Sequence, residues 1–275
     1  MAGFQTMSYE ISDAEFKRLS SLLYDITGIS FNDSKKVLLT GRLSKRLTAL
    51  NLSTYTQYFK YVTDRAHADE LQFMLDLLTT NETYFFREPQ HFDFLKQSIL
   101  PAVKQGQGFR VWSAAASIGA EAYTIAMILA DKLGVGSAWE ILGTDISNSV
   151  LDQARRGHYR MSEAEKIPSE YLKKYCLKGK GDQEGTFLID KKLRQHVNFE
   201  QLNLNVPAPK KFGEFDVIFL RNVLIYFDIP TKQRVVSNLV PSLKDGGYFI
   251  VGHSESLNGI TDALRQEKPT IYRRL

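Results

Sequence analysis

Two stretches of this sequence gather residue types that could hold a ligand. The run Ala114-Ala115-Ala116-Ser117-Ile118-Gly119 is a small-residue loop. Small side chains let a ligand approach the backbone and reach a helix N-terminus. Asp145 follows at the end of the next apolar run. An acidic residue about 20 positions beyond a Gly-containing loop is placed to accept both hydroxyls of a ribose. An adenosine-containing ligand fits, and so does plain strand–helix packing with Asp145 as a helix cap. The pyrophosphate fingerprint Gly-x-Gly-x-x-Gly is absent, as is a phosphate loop ending Gly-Lys-Ser/Thr. Glu121 would repel phosphate but tolerates an amine, a sulfonium or ribose hydroxyls. The candidate therefore moves from NAD or ATP towards S-adenosylmethionine. The second stretch, Thr80-Asn81-Glu82-Thr83-Tyr84-Phe85-Phe86-Arg87, mixes amide, hydroxyl, aromatic and guanidinium groups. It suits a lid in which Arg87 grips a carboxylate, or a buried aromatic hinge with Arg87 in a salt bridge.

Nucleophilic and metal chemistry find less support. The five histidines, His67, His91, His158, His196 and His253, are scattered without an i, i+4 pair. They read mostly as surface or satisfied core residues; His253, which follows a strand, could line the pocket, with a structural role preferred, and no metal site is expected. Cys176 is the only cysteine, so no internal disulfide or Cys-built metal site is available. No Ser-His-Asp or Cys-His set stands out.

The elements that must position these residues change character along the chain. Residues 1–80 carry helical periodicity. The first helix spans 13–26, with Phe16, Leu19, Leu22, Leu23 and Ile26 on one face and Gly28 as its stop. A second spans 33–50, capped by Asp33 or Ser34, with Leu39, Leu43, Leu47 and Leu50 as its stripe. Shorter helices fit 54–62 and 66–78. From about residue 108 strands and helices alternate. Phe109-Arg110-Val111-Trp112, Ile141-Leu142-Gly143-Thr144-Asp145, Phe215-Asp216-Val217-Ile218-Phe219-Leu220 and Gly247-Tyr248-Phe249-Ile250-Val251 read as strands. Helices fit 121–133, a segment begun by Ser147, and a segment from Pro230 to about residue 243. This alternation predicts a parallel, doubly wound α/β sheet, with 264–275 as an antiparallel edge hairpin. Residues 158 to about 200 interrupt it. There the Gly-rich run 179–185 suits a hairpin turn before Thr186-Phe187-Leu188-Ile189, so an inserted β-subdomain is expected.

The chain's 275 residues are 43% hydrophobic and 24% charged, a globular balance. The net charge of +4 favours an acidic partner but does not mark a nucleic-acid binder. No apolar run approaches ~18 residues, so no membrane insertion is expected. Met1-Ala2-Gly3-Phe4-Gln5 lacks a basic-then-apolar pattern. A cytoplasmic protein is expected.

Taken together, these motifs resemble the chemoreceptor glutamate O-methyltransferases of bacterial chemotaxis, the CheR family. The resemblance rests on Asn81-Glu82-Thr83-Tyr84-Phe85-Phe86-Arg87, on Val111-Trp112-Ser113-Ala114-Ala115-Ala116-Ser117, and on Phe215-Asp216-Val217-Ile218-Phe219 leading into Arg221-Asn222-Val223-Leu224-Ile225-Tyr226-Phe227. Gly252-His253-Ser254-Glu255 also matches. It implies an all-helical N-terminal domain (1–80), an interdomain linker segment (81–107) and a Rossmann-like S-adenosylmethionine-dependent methyltransferase domain (108–275) with the β-subdomain inserted at about 158–200. By position, Asn81, Thr83, Arg87, Glu121, Asp145, Asn203, Leu204, Arg221 and Asn222 would bind S-adenosyl-L-methionine and its product S-adenosyl-L-homocysteine. Arg87 and Tyr226 would serve the transfer itself. Where the family commonly reads Thr-Gly-Glu-Glu-Pro-Tyr, this chain has Ile118-Gly119-Ala120-Glu121-Ala122-Tyr123. The first paired glutamate is missing, and the cofactor role passes to Glu121.

The implied reaction moves a methyl group to a receptor glutamate, forming a methyl ester for chemotaxis adaptation. Lys35, Lys36, Arg42, Lys45 and Arg46 lie on one helix with no acidic residue between Lys35 and Arg46. A solvated helix face explains such a run. The resemblance instead implies docking on the acidic methylation helices of chemoreceptors, so reversing Arg42 and Arg46 to Glu is expected to weaken receptor methylation while sparing cofactor binding. It also suggests capture of a receptor C-terminal peptide by the β-subdomain through strand addition. The competing functions are a nucleic-acid methyltransferase and a non-catalytic module that binds an adenosine ligand as a signal. The first lacks the Asn/Asp-Pro-Pro-aromatic motif, because Arg221-Asn222-Val223-Leu224-Ile225-Tyr226 has no proline.

Overall fold

A computed structural model describes residues 9–275. The expectation about Met1–Gln5 lies outside the described residues. The chain forms two compact units, divided after Thr80, and Tyr226–Asp228 belongs with the first.

The helical unit holds α1 (Asp13–Thr27), α2 (Lys36–Ala49), α3 (Tyr55–Thr63) and α4 (Ala68–Leu78). Ser12 and Glu15 form a reciprocal cap at the start of α1, satisfying orphan N–H groups there. Phe16, Leu19 and Leu23 are buried, and so are Leu39, Leu43 and Leu47 of α2. The expected cap at Asp33 or Ser34 is not formed. Asp33–Lys35 is a 3-10 turn, and Asn32 stands before it without a side-chain cap bond. The Ser34 hydroxyl is spent on the Asn32 side chain (2.6 Å), so the first turn tightens instead. The segment Tyr226–Asp228 is held by the bridge between Ile29 and Phe227 and by Tyr24 Oη donating to Asp228 (2.8 Å).

The second unit begins with residues 81–107, the expected linker. It includes α5 (Pro89–Phe94), and then strand and helix alternate: β1 (Phe109–Ala114), α6 (Ala120–Lys132), β2 (Trp139–Asp145) and α7 (Asn148–Arg156). The insert supplies β3 (His158–Arg160), α8 (Ser169–Tyr175), β4 (Cys176–Lys178), β5 (Thr186–Ile189) and α9 (Lys191–Arg194). The main sheet resumes with β6 (Val197–Gln201), β7 (Phe215–Leu220), α10 (Ile229–Leu239), β8 (Leu243–Val251), β9 (Leu264–Lys268) and β10 (Ile271–Arg274).

Among the described residues the main sheet runs β6-β2-β1-β7-β8-β10-β9. Its strands from β6 to β8 are parallel, and β10 and β9 close it antiparallel. Such strands are covered on both faces, which explains their near-continuous apolar character. The order turns back between β1 and β7, the kind of switch point where ligands bind in open α/β sheets. The insert forms its own antiparallel sheet, β3-β5-β4. It ends before Val197, earlier than the expected boundary near 200. Residues Val197–Gln201 pair in parallel with Ile141–Asp145 of β2, so backbone bonding assigns them to the main sheet.

Candidate active site

Immediately beyond β1 the backbone turns sharply. Ala115 (φ 69°), Ser117 (φ 50°) and Gly119 (φ 86°) all take left-handed conformations. For a non-glycine residue this costs roughly 1–2 kcal/mol and persists where the surroundings fix it. Here the Ala116 N–H donates to the Thr144 carbonyl (2.8 Å), the Ser117 N–H to the Asp145 carboxylate (2.9 Å), and the Ser117 hydroxyl to the Asn81 carbonyl (2.8 Å). Gly119 is needed for space as well as for φ. A Cβ there would lie 2.9 Å from Ala154 Cβ and 3.0 Å from Phe199 Cζ.

Asp145 is buried at the carboxyl end of β2. Its second oxygen accepts the Ser147 N–H (3.0 Å). Asp145 thus braces the turns on both sides of it, while the N-cap of α7 is Ser147. The Asp145 carbonyl accepts the Leu202 N–H (2.9 Å), which brings Asn203 and buried Leu204 beside it. Leu204 is anchored by its carbonyl, which accepts from the Asn238 amide (3.0 Å).

Across β1 and β7 the charged groups converge on Arg221, 6% exposed. Its guanidinium donates to Glu121 (2.8 Å), to Glu88 (3.0 Å) and to the Arg87 carbonyl, and lies over the Phe92 ring. Glu121 also accepts the Ser113 hydroxyl (2.6 Å). Neighbouring Ala120 is fully buried, so Glu121 is the position that meets this cluster. Glu88 accepts from the Asn222 amide (3.0 Å) and the His253 N–H (3.2 Å). Burial works to raise the Glu88 pKa, but the Asn222 amide and the Arg221 charge outweigh it and hold the group below the usual carboxylate range. Glu255 goes the other way. Burial drives it above that range despite N–H bonds from Gly252 and Asn222.

The segment 81–87 is anchored by its aromatics. Phe85 is buried edge-on to Tyr159 (5.0 Å), and Phe86 stacks on Tyr171 (5.5 Å). Tyr159 in turn donates to the Ile118 carbonyl (2.6 Å), tying the small sheet to the loop after β1. Thr83, two residues before Phe85, is half-buried. Arg87 makes no salt bridge to a carboxylate among the described residues. Its guanidinium donates to the Glu82 carbonyl (3.0 Å) and lies near the Tyr84 ring.

Tyr226 is placed with the helical unit. Its carbonyl accepts the Ser30 N–H (3.1 Å), and Lys35 Nζ lies 5.3 Å from its ring centroid. The basic helix divides. Lys45 is exposed and Lys36 bonds Asp13 (2.7 Å). Arg42 donates to the carbonyls of Leu77, Leu78 and Thr79 (3.1, 3.0 and 2.8 Å), closing the end of α4. Arg46 pairs with buried Glu70, which also accepts from Tyr58 (2.9 Å). The expected charge reversal at Arg42 and Arg46 would therefore break the helical unit itself, because both guanidiniums are structural bonds rather than an open docking face.

Glu88, Glu255, His91 and His253 escape the sequence reading as site residues. Nitrogen and oxygen atoms of Glu88, His91 and His253 lie within 4.8 Å of one another. His91 is 1% exposed, with Nε2 against Thr270 Oγ1 (2.8 Å). Burial, with the Arg221 charge adding to it, pushes its pKa down to about 3. The signals available were Glu88 beside Arg87, and Glu255 in Gly252-His253-Ser254-Glu255. Neither spacing reveals a partner.

Comparison with known proteins agrees with this architecture. Residues 81–273 match the family described as CheR methyltransferase, SAM binding domain, and residues 14–79 match the CheR methyltransferase all-alpha domain. The chain is 39% identical over 263 residues to the chemotaxis protein methyltransferase of Escherichia coli K12, covering 95% of this chain and 91% of that one. It is 38% identical over 273 residues to the Salmonella typhimurium protein of the same name, covering 97% and 92%. It is 37% identical over 270 residues to chemotaxis protein methyltransferase 2 of Pseudomonas aeruginosa, covering 98% and 96%. Matched by both domains in order over almost its whole length, this chain belongs to the CheR methyltransferase family and is an S-adenosylmethionine-dependent methyltransferase.

Proposed function

We propose that this methyltransferase transfers a methyl group to glutamate side chains of membrane chemoreceptors, forming glutamyl methyl esters for chemotaxis adaptation. The observation that carries the reading is the near-full-length similarity to proteins named chemotaxis protein methyltransferase. The donor set fits S-adenosylmethionine. Glu88, Glu121, Asp145 and Glu255 outnumber the Arg221 guanidinium to which two of them bond, a balance suited to a cation and to hydroxyls rather than to phosphate. Asp145 would take the ribose hydroxyls, Asn203 and Leu204 would lie against the adenine, Glu121 would sit near the methionine or ribose portion, Arg221 and Asn222 would close the site beside the sulfur, and Asn81, Thr83 and Arg87 would contact the cofactor from the segment 81–87. When bound, the cofactor supplies an electrophilic methyl group on a sulfonium.

The acceptor needs little help. A glutamate with a pKa of about 4.3 is already ionised at neutral pH, so no general base is required. The buried groups agree with this. His91 stays neutral, and burial pushes the Cys176 thiol up to about 12, leaving no thiolate nucleophile. The protein's work is alignment and exclusion of water from the carboxylate. Arg87 would hold a carboxylate, and Tyr226 would donate a hydrogen bond that orients the acceptor.

Receptor docking falls to Lys35, Lys36 and Lys45, with Arg42 and Arg46 holding their helix. A receptor C-terminal peptide would add to β4, an edge strand of the small sheet, by main-chain pairing. Among the described residues no helix is long and apolar enough to cross a membrane. We place the protein in the cytoplasm, acting on the cytoplasmic parts of receptors. The test is transfer of labelled methyl from S-adenosylmethionine to receptor-containing membranes. Alkali-labile label in the receptor band is expected. Label in nucleic acid instead, or cofactor binding with no transfer, would replace this reading with one of its competitors.

A further inference from the structure

The motif Gly252-His253-Ser254-Glu255 has so far supplied only one negative charge to the donor set, yet its last residue is buried at the edge of the Arg221 cluster. Glu255 is 7% exposed. One carboxylate oxygen accepts the Gly252 N–H (2.6 Å) and the Asn222 N–H (2.9 Å). The other accepts the Ile225 N–H (3.3 Å). A single side chain thus joins the end of β8 to both ends of the turn that follows β7.

Asn222 is the residue under constraint. Its φ of 59° is left-handed, a conformation that asparagine tolerates better than most residues and that its partners hold here. Glu255 holds its backbone N–H, and Glu88 holds its side-chain amide from a separate segment (3.0 Å). The space is closed too. A Cβ on Gly252 would lie 2.6 Å from Asn222 Nδ2, 2.8 Å from Glu255 Oε2 and 2.9 Å from Asn222 N. Glycine is required there because the turn lies against the backbone of β8's end.

We propose that Glu255 is a positioning residue for methyl transfer: together with Glu88 it clamps Asn222, so that the turn after β7 is already set when the cofactor binds. This rests on the reading of Asn222 as a cofactor contact. A buried carboxylate that accepts several N–H groups is not replaced by its amide, whose NH2 turns a donor towards donors.

The test titrates S-adenosylhomocysteine into wild type, Glu255→Gln and Glu255→Asp by calorimetry, with kcat, acceptor KM and thermal unfolding measured alongside. Glu255→Gln should bind at least about tenfold more weakly and lose kcat, with acceptor KM unchanged. Glu255→Asp should recover part of both losses. A folded Glu255→Gln protein with wild-type affinity and kcat overturns the proposal, as does a loss confined to melting temperature. Gly252→Ala keeps every carboxylate and crowds the contact between Asn222 and the Glu255 carboxylate. It should show the same weakened binding, and wild-type binding by that variant overturns the proposal even if Glu255→Gln does not fold. A wild-type protein that fails to bind S-adenosylhomocysteine overturns the cofactor reading, and the clamp with it.

Discussion

Arg221 and Arg46 do the same chemistry in two regions of this protein with different consequences. Each is a guanidinium in an ion pair with a buried member: buried Arg221 with half-buried Glu88 and Glu121, half-buried Arg46 with buried Glu70. Arg46 and Glu70 lie 24 residues apart and staple α2 to α4. Arg221 and its partners lie 100 and 133 residues apart and draw together the end of β7, the first turn of α6 and the residue before α5. The first pair secures a scaffold, whereas the second gathers the residues proposed to hold the cofactor. A charged residue's role is set by the elements its partner brings with it.

The sharpest way to break this comparison is to remove each cation. Arg221→Met leaves two carboxylates unpaired and should cost about 3–5 kcal/mol of stability and abolish S-adenosylhomocysteine binding. Arg46→Met should lower stability by about 3 kcal/mol while the folded protein keeps its affinity. Urea unfolding and calorimetry read both variants, and reduced affinity in folded Arg46→Met would sink the distinction.

A second test uses acid. His91 titrates near 3 in the folded protein against 6.5 when unfolded, so the unfolded chain takes up the proton first. Its contribution is complete above about pH 6.5 and declines as pH falls towards 3, by up to about 1.4 kcal/mol per pH unit. Unfolding midpoints measured from pH 7 to 4 should fall less steeply for His91→Asn than for wild type.

The remaining effects sharpen the comparison on the helical side. Arg42→Ala uncaps α4 and should cost about 1–2 kcal/mol, read by thermal melts, with cofactor affinity unchanged. Lys45→Glu, on an exposed position, should shift stability by less than about 0.5 kcal/mol and slow receptor methylation severalfold at low salt. Unchanged methylation in that variant would remove α2 from the docking surface.

Much of this architecture is legible in residue order because it is local. The leucines of α2 at helical spacing, the apolar run of β7 and the small residues after β1 each declare their element within a few positions. Asp145 is visible for the same reason, as an acid ending a strand a set distance from a turn. β6 was missed because Val197-Asn198-Phe199-Glu200-Gln201 is short and lies directly after the insert, and only its register with β2 makes it part of the main sheet. The basic helix misled for the opposite reason. Its charges are countable, but nothing nearby reveals that Arg42 reaches the end of α4 or that Arg46 has Glu70.

The sequence by itself determined the kinds of elements, their order, the small-residue turn and the stock of charges from which a cofactor site is built, since hydrophobic period and turn chemistry act over a few residues. Tertiary structure alone decided which of those charges meet. Glu88 and Asn222 are 134 residues apart in the chain, and Glu255 lies 33 residues beyond Asn222. They become partners only when parallel strands align their carboxyl ends, and burial then makes leaving any one of them unbonded costly.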